Sequence, residues 1–418
     1  MAAKAKPPTG PGASSGQGPE EKNFLQLSAE ELGALREAFE DGNLSAAARK
    51  LQDTLQSLEN VRLDVAVTGE TGSGKSTFVN AIRGLGDEEP GSAETGVVET
   101  TLDPTPYPHP KYPNVTIWDL PGIGTPAFQA SRYLERVQFG RYDFFILIAS
   151  ERFTAHHAQL ACEIQRLGKR FYFIRSKVDV DLAASRQRRP ATFSEEGVLN
   201  EIRTHCRDRL RAEGVAEPRV FLLSTFELGK YDFHLLGETL ERELEGHKRH
   251  ALLLALPNVS RQILDKKRAS LQQHIWLIAA ISCGLDPVPV PQVPGLFCDL
   301  KLLVKALQGY YRNFGLDRAS LATLADQVAK PAEALKAVMR SPDEVDEALV
   351  VQLLGQVAGG VGGFTQQLET VPILGALASG GVSFAIVYKA LRLFLTMVEE
   401  DCQRVLLKAF EVEPRHPL

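Results

Sequence analysis

The chain has 418 residues, 44% of them hydrophobic and 24% charged, and a formal net charge of −5. That size and balance fit a globular protein of roughly two or three domains and exclude a strongly basic nucleic-acid binder. Cys162, Cys206, Cys283, Cys298 and Cys402 show no CxxC and no His/Cys metal spacing, so they read as reduced, mostly buried thiols of an intracellular protein.

The first 23 residues, "MAAKAKPPTGPGASSGQGPEEKN", are rich in Pro, Gly and Ser and lack an apolar run. They are expected to be a disordered tail and not a secretory signal. Residue 2 is Ala, so the glycine required for N-myristoylation is absent and that anchor is not expected. Residues 24–60 have helical spacing, with a capping-box start at Ser28 and Glu31 and a break at Gly42-Asn43.

Residues 61–245 alternate strand and helix patterns. "NVTIWDL" (114–120), "YDFFILIAS" (142–150), "RFYFIRSK" (170–177) and "RVFLLST" (219–225) are short β-branched and aromatic runs. Helical stretches such as "AQLACEIQRLGK" and "EEGVLNEIRTHCRDRLRAEG" lie between them. The alternation predicts an α/β unit with a mostly parallel sheet and helices on both faces. From about residue 247 the strand signals fade and long helical patterns follow to 418. A short N-terminal helical piece buries too little apolar surface to stand alone. It is therefore expected to join residues 246–418 in one composite helical domain.

At the start of the α/β unit, "VRLDVAVTGETGSGKSTFVNAIRGL" (61–85) changes from strand to loop to helix. The loop spells G-x-x-x-x-G-K-[ST], running through Gly69, Glu70, Thr71, Gly72, Ser73, Gly74, Lys75, Ser76 and Thr77. Such a loop turns its N–H groups around a phosphate at the positive end of the next helix. Lys75 then reaches the β- and γ-phosphates, and the Ser76 hydroxyl binds Mg²⁺. "WDLPGIG" supplies Asp119 at a strand end and Gly122 three residues on. The acid can hold a Mg²⁺ water and the glycine N–H a γ-phosphate oxygen.

"RSKVD" (175–179) addresses the base. In a strand-end [NT]-K-x-D motif the aspartate accepts from guanine N1 and N2, and the lysine packs over the ring. Lys177 and Asp179 take those places, with Ser176 a departure at the first. Adenine lacks the donor pair and would leave a buried acceptor unpaired. Ser224 ends the next strand and is placed near guanine O6. "AETGVVETT" (93–101) is the expected switch loop. Thr95, Thr100 and Thr101 are alternatives for the metal or γ-phosphate, with Thr95 taken as the catalytic and metal-binding candidate. Where Ras-like enzymes carry a water-orienting glutamine, this chain has Ile123. An isolated subunit is therefore expected to hydrolyse slowly.

"GETGSGKSTFVNAIRGLGDEEPGSAETGVVETT", "YPHPKYPNVTIWDLPGIGT", "YDFFILIAS" and "FYFIRSKVD" together resemble the immunity-related GTPases, the interferon-inducible, dynamin-like p47 group. The resemblance extends to "HKRH" (247–250) and "FGLD" (314–317), and Lys75-Ser76 match its GKS type. It implies a Ras-like P-loop G domain inserted in an all-α domain, hydrolysing GTP to GDP with Mg²⁺. It also implies assembly through G domains, with itself or related GTPases, and peripheral action on endoplasmic reticulum, Golgi or vacuole membranes in cell-autonomous immunity. By the same resemblance Glu99 matches a switch glutamate at the G-domain dimer interface. The alternative is a GTP-switched scaffold or germ-line-type member with little hydrolysis.

Three features stay secondary. His156-His157 lack a spaced third ligand and are read as surface histidines. "RQRRP" (186–190) is read as a solvated basic loop. Residues 348–388 carry one charge, Glu369, and are open to three readings: buried helices, a lipid-contacting amphipathic element, or a span.

Overall fold

The computed structural model describes residues 44–96, 101–123, 129–150, 153–285, 287–342, 344–359 and 382–411. The expected tail, the Ser28 cap, the Gly42-Asn43 break, Glu99, Thr100 and Glu369 lie outside them.

Helix α1 (Leu44–Asn60) precedes β1 (Leu63–Gly69), α2 (Lys75–Ile82), β2 (Thr105–Pro108), β3 (Val115–Asp119), α3 (Ala130–Arg136) and β4 (Phe144–Ala149). Next come α4 (Ala155–Arg166), β5 (Arg170–Arg175), α5 (Val178–Arg188), α6 (Glu195–Ala212), β6 (Val220–Leu222) and α7 (Phe233–Glu243). Helices α8 (Gly246–Ala255), α9 (Arg261–Gln272) and α10 (Ile275–Gly284) lead to a small hairpin, β7 (Val288–Pro289) and β8 (Phe297–Cys298). The chain then forms α11 (Leu300–Phe314), α12 (Arg318–Gln327), α13 (Ala332–Lys336), α14 (Glu347–Ala358) and α15 (Val382–Ala409).

The main sheet has the order β2-β3-β1-β4-β5-β6. All its pairings are parallel except β2 with β3. Every residue of β1 is buried, the pattern of a strand covered on both faces. Leu63, Val65 and Val67 point to one face, against Phe78, Val79 and Ile82 of α2 and Phe233, Leu236 and Leu240 of α7. Ala66 points to the other, with Tyr133 and Leu134 of α3 and Leu160, Ala161 and Ile164 of α4. The two-residue period of a strand separates these cores.

Strand β2 escapes the sequence pattern because it reads Thr-Pro-Tyr-Pro. Proline cannot donate to a ladder, so such a strand belongs at an edge, where β2 lies. The β7–β8 hairpin, only two residues per strand, likewise interrupts the long helical reading.

A third core joins the two ends of the described chain. Leu51 and Leu58 of α1 pack with Leu271, Ile275, Leu303, Phe394 and Val398. Buried Leu349, Val350, Leu354 and Val357 of α14 and Phe384, Val387 and Leu391 of α15 belong to it as well. So 348–359 and 382–388 contribute packed core, while 360–381 lie outside the described residues. No described helix is long and apolar enough to cross a membrane. The five cysteines are free thiols, three of them buried.

Leu51 is 1% exposed in that core. Leu51→Ala is expected to destabilise the helical core by about 2–5 kcal/mol through lost transfer energy and the residual cavity. Denaturant melting followed by far-UV circular dichroism reads the change. An unaltered midpoint would mean that α1 is not part of the cooperative core.

Candidate nucleotide site

The site forms at the carboxyl ends of β1, β3, β4, β5 and β6, where open parallel sheets leave a crevice for ligands. Strand β1 stops at Gly69, whose φ is 149°. A Cβ there would stand 2.0 Å from the Ile148 carbonyl oxygen of β4. Glycine is therefore imposed by the neighbouring strand as well as by the torsion. Gly74, at φ 88°, forms the N-terminal boundary of α2, which starts on Lys75. Within the loop, the Glu70 carbonyl accepts from the Ser73 N–H at 3.2 Å and from Lys75 Nζ at 3.1 Å. The lysine is thus folded over the loop, with its charge on a backbone oxygen inside the crevice.

Asp119 closes β3 and is 1% exposed. Its Oδ2 accepts from the Ser76 hydroxyl at 2.6 Å and from the Thr101 hydroxyl at 3.0 Å. Its Oδ1 is buried without a hydrogen-bond partner. Burial raises the carboxyl pKa, and the Ser76 bond, the Lys75 charge and the Thr101 bond counter it. Hard oxygens from a hydroxyl, a second hydroxyl and a carboxylate with an unused lone pair fit a magnesium ion. Thr95 does not join this group: it is exposed, two residues beyond Ala93, which is tied to Asn80 at both backbone atoms. Thr101 stands at Asp119 because it enters edge strand β2, whose Thr105 is in register with Asp119.

Gly122 is half-buried beside the loop, and the Ile123 N–H donates to the Gly69 carbonyl at 3.2 Å. The Ile123 side chain is fully buried in the core with Leu120 and Tyr133.

The base-reading candidates come from the β5–α5 junction. Ser176, the departure from Asn or Thr, donates its hydroxyl to the Ser73 carbonyl at 2.7 Å. That bond fastens the junction to the phosphate loop. Lys177 has a left-handed φ of 57°, and its Nζ reaches the Gly72 carbonyl at 3.0 Å. Asp179 lies half-buried in the first turn of α5. The Val178 N–H donates to the Leu223 carbonyl at 3.3 Å, bringing the end of β6 alongside. Ser224 follows there, fully buried, with its hydroxyl lacking a hydrogen-bond partner.

One cluster was not anticipated. His157 is not a surface residue; it is 0% exposed, between the rings of Phe153 and Phe173. Burial lowers its pKa to about 4, so it is neutral at physiological pH. Its Nδ1 accepts the Thr154 N–H at 3.2 Å, completing the cap of α4. The Thr154 hydroxyl donates to Glu70 Oε1 at 2.6 Å. Glu70, Thr71, Thr154, Ala155 and His156 line a recess of about 460 Å³ beside the phosphate loop. Thr154 three residues before His157 is a capping spacing, but histidine in place of Glu or Gln hides it. No group of three metal-ligating side chains occurs around His156 or elsewhere among the described residues. Arg186, Arg188 and Arg189 are exposed.

The interferon-inducible GTPase family profile matches residues 28–409. The chain belongs to that family. It is 49% identical to interferon-inducible GTPase 5 of Rattus norvegicus, over 94% of this chain and 85% of the relative. It is 38% identical to interferon-gamma-inducible GTPase 10 of Mus musculus, over 93% and 92%. A bacterial dynamin pair described as sensing and tethering membranes is a remote structural likeness, at 14% identity and a TM-score of 0.35 over 94% of this chain and 76% of that one. The family makes the protein a GTPase.

Gly69→Ala is expected to weaken GTP binding by at least about tenfold, equivalent to 1.4 kcal/mol. The added methyl collides with the Ile148 carbonyl and shifts the loop's first peptide. Titration with a fluorescent GTP analogue measures it; a folded Gly69→Ala protein with parental affinity would contradict this packing.

Proposed function

We propose that this GTPase binds GTP through Gly69, Glu70, Thr71, Gly72, Ser73, Gly74, Lys75, Ser76, Thr77 and Gly122. Lys177, Asp179 and Ser224 read the guanine. Residues 61–245 would form the G domain, and 24–60 with 246–418 its helical partner. The convergence of Ser76 and Thr101 hydroxyls on buried Asp119 supports a Mg²⁺ site there. The ion, when bound, would neutralise charge on the β- and γ-phosphates. Lys75 leaves the Glu70 carbonyl for the same phosphates, exchanging a neutral acceptor for a charged one. Asp179 accepts from two base donors, and Lys177, already drawn across the loop at Gly72, covers the ring.

The observation that carries the catalytic reading is Ile123. It is fully buried in an apolar core, so it offers the attacking water no hydrogen bond. Completion by a second copy, with Glu99 at the contact, fits that deficiency. Action at intracellular membranes by reversible peripheral contact is supported by exposed Leu407 and Phe410, at 75% and 65%, near the end of the last helix. A part in cell-autonomous immunity is supported by the relatives' interferon-inducible names.

Asp179→Asn is expected to lower the GTP-to-ATP affinity ratio by about a hundredfold or more, because the new amide donor faces guanine's own donors. Competition binding measures it, and an unmoved ratio would remove Asp179 from the base site.

Turnover per subunit is expected to rise with protein concentration. Glu99→Ala should remove that rise with little change in GTP affinity, since the contact exists only in the assembled state. A supplied catalytic group in related phosphoryl transfer is worth on the order of 10³-fold or more. Steady-state phosphate release over a hundredfold range of protein, with light scattering for assembly, tests both. A flat specific activity would favour a self-sufficient enzyme or a GTP-switched scaffold.

A further inference from the structure

The connection between β2 and β3, residues 109–114, lies at the end of the hairpin away from Asp119. It meets the last turn of α11. Lys111 Nζ donates to the Arg312 carbonyl at 3.2 Å and stands 3.8 Å from Asp317. The Tyr112 hydroxyl donates to Asn313 Oδ1. The Asn313 carbonyl accepts from Asn258 Nδ2 at 3.2 Å and from Lys267 Nζ at 3.3 Å.

Lys267 is 2% exposed. Burial, with Lys111 nearby, pulls its pKa down to about 7. Burying an ammonium on a backbone carbonyl is costly. A leucine or methionine would fill such a core position at less cost, so the position is not explained by packing alone.

The hairpin's other end is the nucleotide site. Thr101 leads into β2, and β2 pairs with β3 from Thr105 opposite Asp119 to Pro108 opposite Thr116. Arg83, directly after the phosphate-loop helix, donates to the Pro108 carbonyl at 3.3 and 3.1 Å and to the Gly91 carbonyl at 3.0 Å. Both the Asp119 end and the phosphate-loop helix are therefore tied to one short paired ribbon. A shift of Thr101 or Asp119 on nucleotide binding would have this ribbon as a paired route to its tip.

We propose that Tyr112 and Lys111 are positioning residues that couple the GTP site to the helical domain, by fastening the β2–β3 ribbon to the end of α11. The coupling rests on nucleotide binding at the Asp119 crevice. Because coupling between two sites is reciprocal, a contact that transmits GTP binding to α11 also feeds back on GTP affinity by the same factor.

Hydrogen exchange of the full chain, with and without a non-hydrolysable GTP analogue and Mg²⁺, tests this. In the parent, protection is expected to rise at residues 69–77 and to change by about fivefold or more at 311–317, the lower range of measured couplings. Tyr112→Phe should keep the first change and reduce the second below about twofold, with analogue affinity shifting by the factor lost at α11. Should Tyr112→Phe unfold, Lys111→Ala provides the same comparison from an exposed side chain. Protection at 69–77 with no change at 311–317 in the parent would overturn the coupling. So would a folded variant that retains the parent's full change. Absence of protection at 69–77 would overturn the nucleotide site itself, and the coupling with it.

Discussion

Asp119 is a carboxylate held almost out of water, with one oxygen shared by two hydroxyls and the other without a partner. A buried acid in that state is stable only if its charge is compensated, and the groups that compensate it come from two separate segments. Lys75 and Ser76 open the phosphate-loop helix, and Thr101 lies at the entry of β2. The sheet order brings these groups together. With β1 central and β3 beside it, the loop after β1 and the end of β3 are neighbours, and β2 brings Thr101 back to the same edge. Supplying a cation to this point satisfies the lone pair and replaces compensation that the protein provides imperfectly. The fit of this point to a cation is then a consequence of how the strand end is buried.

The loop around that acid is shaped by sterics as much as by charge. Gly69 is fixed by the Ile148 carbonyl, and Ser176 bonds the Ser73 carbonyl from across the sheet. Glu70 is held by Thr154, which is held in turn by a neutral His157. Two strand ends and one helix cap therefore set the positions of one short loop. The phosphate-binding surface is preorganised by side chains that need never touch the ligand, a condition under which electrostatic stabilisation needs little rearrangement at the reaction step.

This division explains what could be read from the residues alone. The glycine loop, Asp119 and the Lys177–Asp179 pair are legible because their spacing along one strand–loop junction is local. The parallel strands are legible because β1, β4 and β5 are short runs dominated by β-branched, aliphatic and aromatic residues between helical patterns. Strand β2 is hidden by its two prolines, and with β2 hidden nothing local distinguishes Thr101 from Thr95. The pairing of Thr105 with Asp119 brings Thr101 to that acid and leaves Thr95 exposed. His157 is hidden for a different reason. A polar residue type suggests solvent, but a capping bond to Thr154 and two aromatic neighbours make a neutral ring acceptable in the core. The α11 seam is the least legible of all, since Lys111 and Tyr112 meet partners about two hundred residues away, at Arg312 and Asn313.

Ile123 shows how packing limits chemistry. Its N–H closes against Gly69 and its side chain completes the core beneath α3. A glutamine there would have to bury an amide among Leu120, Tyr133 and Leu134, or expose a gap in that core. Either cost is about the size of a lost core contact or an unsatisfied polar group, a few kcal/mol. The position serves packing, so residue 123 has no room for a polar side chain that could orient water. In the isolated fold this position therefore keeps the core filled and presents no polar side chain to the crevice.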